Sequence, residues 1–172
     1  KANDTVNIGL KLAPTNLDIR NTAGSAIDQV LIGNVYEGLV ARDEHNQVVP
    51  AIAKTWDVSD DGTTYTFHLN DGMTFSNGDK LDADDVAWSI NELVTKQYHD
   101  ADSLVNFVSV KASDPNTVEL KLSAPYANLL WVLTGRPGLV FDKDAKYDAK
   151  TQAIGSGPYT VEKFVTNSSI TL

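Results

Sequence analysis

The run Ser59–Val86, SDDGTTYTFHLNDGMTFSNGDKLDADDV, concentrates aspartates in a way that could hold a hard cation. Calcium takes about six to eight oxygen ligands, and the EF-hand loop supplies them at fixed positions. Asp57, Ser59, Asp61 and Gly62 fill its first, third, fifth and sixth places, but the twelfth, where a bidentate Glu should close the shell, is His68. The residues TYTFHL then alternate like a strand where the motif needs a helix. A β-turn with solvated carboxylates is the better reading. His45, His68 and His99 form no HxxH, HExxH or HxH, and without Cys a zinc site would need carboxylates brought in by the fold. For nucleophilic catalysis there is no GxSxG elbow. GSGP at Gly155–Pro158 is followed by no helical pattern, so it supplies neither an oxyanion hole nor a dinucleotide fingerprint. Carboxylate pairs suited to glycoside hydrolysis are too numerous to single any out. Arg136, in TGRPG, stands between an expected helix and an expected strand. A loop there can present a planar cation to a carboxylate ligand, and a surface ion pair is the equally available alternative.

Composition removes whole classes of partner. A net charge of -9, with the basic residues scattered, excludes the clustered Lys and Arg that phosphate backbones require. No apolar run approaches a membrane span; the longest, Ala127–Leu133, is far too short. At 172 residues, 42% of them hydrophobic, the chain can bury one ordinary core or a core with a small companion.

The elements that must position these side chains follow from periodicity. Val6, Ile8, Leu10 and Leu12 alternate, predicting a half-buried strand over Thr5–Leu12, which runs into the loop APTNLD. Ile27, Val30, Leu31, Val35 and Leu39 keep helical spacing, predicting a helix over Ser25–Leu39 that ends near Gly38. ARDEHNQVVP is a polar turn between short apolar pieces. Trp56–Ser59 and Thr64–Leu69 read as two strands joined by SDDG, with Tyr65, Phe67 and Leu69 on one face. NDG and SNGD are further Asx-Gly turns. Val86, Ile90, Leu93 and Val94 then mark an amphipathic helix. Asp82 is placed as its N-cap, and Asp84 and Asp85 sit where the helix dipole favours negative charge. Leu104–Val110 and Thr117–Leu122 read as strands, Tyr126–Leu133 as a short helix and Gly138–Phe141 as a short strand. Tyr159, Val161 and Phe164 begin another strand, and Ile170 begins one that is cut off at Leu172, as in a fragment of something longer. Trp56, Trp88 and Trp131 lie within these elements and are assigned to core packing.

Three segments carry a resemblance. NVYEGLV at Asn34–Val40, VPAIAKTWDVSDDGTTYTFHLNDGMTFSNGDKLDADDVAWSI at Val49–Ile90 and GSGPYTVEKF at Gly155–Phe164 resemble, in order and spacing, the extracytoplasmic solute-binding proteins of the peptide/nickel family, which serve ABC importers. PTNLDIR at Pro14–Arg20 is similar to the family's loop after its first strand, with Ile19 where Pro is usual.

The resemblance implies a mixed α/β chain of the class II periplasmic-binding-protein type, about three times longer in family members, of which this is part of lobe one. Residues 1–45 and 155–172 would belong to the main lobe-one subdomain, and residues 46–154 to a smaller inserted subdomain of hairpins and helices. It implies no enzyme and no cofactor. It implies instead a monomer outside the cytoplasmic membrane, periplasmic or lipid-anchored, that delivers a small solute to ABC permease subunits. A peptide is the expected solute; a nickel chelate, an oligosaccharide or an opine is the alternative, and a calcium-stabilised β-rich module a more distant one. Thr15, Asn16 and Asp18 of the first loop, Arg136, and Ser156, Gly157 and Tyr159 of the later turn would line the lobe-one side of the cleft. In nickel-binding relatives an Arg in the segment resembling LTGRPGLVF faces the bound chelate, which points to Arg136.

Overall fold

The computed structural model describes Asn7, Gly9, Leu10 and residues 13–172. The strand expected over Thr5–Leu12 lies mostly outside the described residues; Asn7 forms an antiparallel bridge to Thr171.

Helix α1 covers Ser25–Leu31 and buries Ile27, Val30 and Leu31. It is shorter than the expected Ser25–Leu39, although the apolar spacing runs on. Ile32 turns extended, and Gly33 adopts φ +81, a left-handed backbone that suits glycine. The Asn34 side chain donates to the Val30 carbonyl, satisfying one of the orphan acceptors of the last turn. Gly38, expected at the helix end, instead forms an antiparallel bridge to Leu139.

Strands β1 (Val40–Arg42) and β2 (Val48–Pro50) form a hairpin around the expected polar turn. Asp43 Oδ1 accepts from the backbone of His45 and Gln47 and so shapes its tip. Strands β3 (Ala53–Val58) and β4 (Thr64–Leu69) follow. Helix α2 covers Ala83–Thr95, and strands β5 (Phe107–Asp114) and β6 (Thr117–Leu122) complete an antiparallel sheet in the order β3-β4-β6-β5. Alternation in β4 and β6 buries Tyr65, Phe67, Leu69, Val118, Leu120 and Leu122, as the pattern predicts. Val86, Ile90 and Leu93 of α2 join them in one cluster. Each of these large side chains contributes roughly 1.5–3 kcal/mol by leaving water. Strand β5 starts three residues later than expected, because Ala101–Ser103 forms a 3-10 turn and Asn106 sits at φ 62.

Helix α3 is one turn, Leu129–Val132, within the expected Tyr126–Leu133. The expected strand Gly138–Phe141 is replaced by a 3-10 turn at Arg136–Gly138, followed by single backbone bonds to residues 37–39. Strands β7 (Lys163–Val165) and β8 (Ser169–Thr171) pair with each other.

A second cluster gathers Leu17, Ile19, Ile27, Val30, Leu31, Val35, Tyr36, Leu139, Phe141 and Leu172. Trp56 packs on the first cluster and Trp88 on the second. Trp131 departs from the expected core role: it is half-buried, outside both clusters, and carries the Arg42 guanidinium 4.0 Å from its ring centroid.

Candidate functional site

The acidic turns close on themselves. Asp61 Oδ1 accepts from the Ser59 and Thr63 hydroxyls and from the Thr63 N–H, which holds its carboxyl below the usual range. Asp57 and His68, the first and twelfth places of the failed calcium loop, pair with each other at 2.8 Å. Among the described residues, no three His, Cys, Asp or Glu side chains are grouped to hold a metal.

The Pro14–Gly24 loop is built by alternation. Leu17 and Ile19 point into the second cluster, while Asn16 and Asp18 turn back on the chain. Ile19, standing where Pro is usual in the resembling family, is a buried anchor. Asn16 Oδ1 accepts from the Asp18 N–H at 2.9 Å and the Thr22 hydroxyl at 2.7 Å. Asp18 accepts from the Arg20 N–H at 3.2 Å and from the Asn21 amide at 2.9 Å. Thr15 lies exposed at the rim.

Arg136 is where this loop is held. Its turn is tight: a Cβ at Gly138 would collide with the Leu133 carbonyl. The turn aims the side chain inward, leaving it only 3% exposed. Nε donates to Asp28 Oδ1 at 2.6 Å, Nη1 to the Ile19 carbonyl at 2.8 Å and to the Thr22 carbonyl, and Nη2 to the Gly24 carbonyl at 3.1 Å. Four of the five guanidinium N–H groups are thus taken by the chain itself. Of the two expectations, a cation presented by a loop and a surface ion pair, an ion pair forms with Asp28, but in the interior, leaving a buried clamp with one N–H to spare.

Two hollows adjoin the clamp. A small one lies among Arg20, Tyr98, His99, Arg136 and Phe141. The His99 N–H donates to the Arg20 carbonyl at 2.8 Å, and the Arg20 guanidinium sits 4.7 Å from the Phe141 centroid and 5.2 Å from that of Tyr98. Behind Phe141, the Tyr36 hydroxyl meets that of Tyr147 at 3.1 Å, and burial pushes its pKa well above the usual tyrosine value. The larger hollow is an open groove of about 670 Å³ lined by Asp28, Glu37, Arg42, Asp100, Thr134 and Arg136 among others. Arg20, Asp28, Arg42, Tyr98 and Asp100 were not singled out from sequence, and His99 was weighed there only as a metal ligand. Asp28, the one charged residue in the helix SAIDQVL, was the one available signal.

The Gly155–Tyr159 turn sits elsewhere. The Gly157 N–H donates to the Val35 carbonyl at 2.9 Å, the Tyr159 N–H to the Asn34 carbonyl at 2.8 Å, and the Ser76 N–H to the Gly155 carbonyl at 2.8 Å. A Cβ on either glycine would run into the Asn34–Val35 backbone, so close approach explains both glycines. The Ser156 hydroxyl oxygen is buried with no hydrogen-bond partner among the described residues. Loop and clamp are therefore brought together. Ser156, Gly157 and Tyr159 line neither hollow and abut Asn34, one residue from the groove-lining Gly33.

Residues 47–172 match the family described as bacterial extracellular solute-binding proteins, family 5 middle. The chain is similar to the peptide transport periplasmic protein SapA of Salmonella typhimurium, 29% identical over 83% of this chain and 31% of that protein. It is 32% identical to the nickel-binding periplasmic protein of Escherichia coli, over 75% of this chain and 26% of that one. A periplasmic oligopeptide-binding protein from Borrelia burgdorferi superposes with a TM-score of 0.82 at 22% identity, over 92% of this chain and 36% of that structure. The chain spans about a third of the length of these relatives. The superposition establishes the class II periplasmic-binding-protein fold, of the mixed α/β type expected from sequence. With the family match covering most of its length, the chain belongs to the family 5 bacterial extracellular solute-binding proteins, a family of binding proteins rather than enzymes.

Proposed function

We propose that this chain forms one wall of the solute cleft of an ABC importer's binding protein, and that the solute is a peptide. The observation that carries the reading is the open groove beside the clamped Pro14–Gly24 loop, whose volume of about 670 Å³ falls in the ordinary range for small-ligand sites. Its lining offers carboxylates at Asp28, Glu37 and Asp100 and a guanidinium at Arg42, complementary to the two charged ends of a peptide. The names of SapA and of the Borrelia protein favour the same solute.

In this reading Arg136 shapes the wall, and its spare N–H is the only part available to solute. Thr15, Asn16 and Asp18 form the near rim. Ser156, Gly157 and Tyr159 form the seam on which the wall rests. Residues 1–45 and 155–172 act as the main subdomain and residues 46–154 as the insert. A second lobe closes on the groove, and the loaded monomer docks on permease subunits outside the cytoplasmic membrane.

The test is native mass spectrometry of the protein purified together with its second lobe, followed by thermal shift with a panel of short peptides. A co-purified peptide and a raised melting temperature are expected. A carried nickel chelate with no response to peptides would overturn the solute class. No response to peptides, oligosaccharides or nickel with L-histidine would overturn the binding reading itself.

A further inference from the structure

Arg42 stands apart from Arg136, the other cation lining the groove. Its guanidinium carbon lies over Trp131, 4.0 Å from the ring centroid, and its Nε donates to Thr134 Oγ1 at 2.6 Å. That hydroxyl is buried and gives its own proton to the Trp131 carbonyl at 2.6 Å, so its lone pair is left to receive Arg42. Nη2 lies over Gly135, where a hypothetical Cβ would be 3.8 Å away. Orientation is therefore fixed on three sides. Yet in a chain with 23 acidic residues, no carboxylate among the described residues lies within ion-pair distance of Arg42. A surface arginine is commonly paired with an acid, and this one is held instead by an indole ring and a hydroxyl.

We infer that Arg42 is the anion-receiving residue of the groove, taking a carboxylate of the bound solute through its free Nη1 and Nη2 edge. The inference rests on the groove being the solute site, as proposed above. A planar fork with its ring face already covered matches a planar two-oxygen acceptor. The groove also carries Asp28, Glu37 and Asp100, whose charge disfavours a phosphate dianion and tolerates a carboxylate carried by a zwitterion. Arg136 cannot take this role, since four of its donors are already bound.

The carboxylate could be the free end of a peptide or that of an amino acid chelating a metal, and the test separates the two. The side-chain N–H signals of Arg42 and the Trp131 indole are followed by NMR in the 172-residue chain. N-acetyl-L-alanine should move both signals saturably, and N-acetyl-L-alaninamide should move neither. Arg42→Gln should weaken the response at Trp131 by about tenfold or more, and Arg42→Lys should recover only part of it. Alanyl-alanine and nickel with L-histidine, added in turn, then show which source of carboxylate the site prefers. An Arg42 signal unmoved to tens of millimolar acid, or moved equally by the amide, overturns the inference. Because the probe is a bare carboxylate, that failure leaves the peptide reading to its own thermal-shift test.

Discussion

Arg136 and Arg42 show how differently one residue type can be used within one groove. Arg136 is interior, and its guanidinium is the donor set shared by Asp28 and three loop carbonyls. Removing it strands a half-buried carboxylate and leaves those carbonyls short of donors. Arg136→Ala should therefore lower unfolding free energy by about 3 kcal/mol or more, read from urea midpoints. Arg136→Lys should recover only a part, because an ammonium cannot span the same fork. Arg42→Gln, which gives up one cation–π contact and one hydrogen bond at an exposed position, should cost about 1 kcal/mol, well below the loss at Arg136. The sequence motif TGRPG was legible as a turn bearing a cation. Which acceptors the cation meets was not, since Ile19, Thr22 and Asp28 lie more than a hundred residues away along the chain.

At the scale of elements, what could be read was what local chemistry determines. Helix α2 was placed by its apolar spacing and by Asp82. The cap forms as a reciprocal box: the Asp82 side chain accepts from the start of the helix, and the Asp85 side chain accepts from the Asp82 N–H at 3.1 Å. Asp82→Ala should cost about 1 kcal/mol of stability in chemical denaturation, with the helix otherwise retained by its buried face. Strands β4 and β6 were legible for the same local reason. Helix α1 was overextended because Val35 and Leu39 keep the helical spacing while serving other contacts, in the second cluster and the first respectively. Gly33 ends the helix, and nothing in the apolar pattern announces it. Strand β5 was misplaced because the left-handed turn at Asn106 has no periodic signature.

For the whole molecule, two clusters share one chain that crosses between them at residues 37–40 and 138–141. The first is braced by a four-stranded sheet and α2, whereas among the described residues β7 and β8 pair only with each other and, through Thr171, with Asn7. Hydrogen exchange should therefore find the amides of β4, β6 and α2 protected longest and those of β7 and β8 exchanging first. Uniform protection across both regions would contradict this division. The resemblance carried by three quoted segments identified the family. The groove needed coordinates, because its walls come from α1, the β1–β2 hairpin and the Thr134–Arg136 turn. The Arg136 clamp also orders events in time. Ile19, Thr22, Gly24 and Asp28 leave the ribosome long before the cation that binds them, so the Pro14–Gly24 loop stays unsettled until residue 136 has been made. A nascent chain stalled short of that point would carry the family's N-terminal motifs and yet lack the clamp that fixes its first loop.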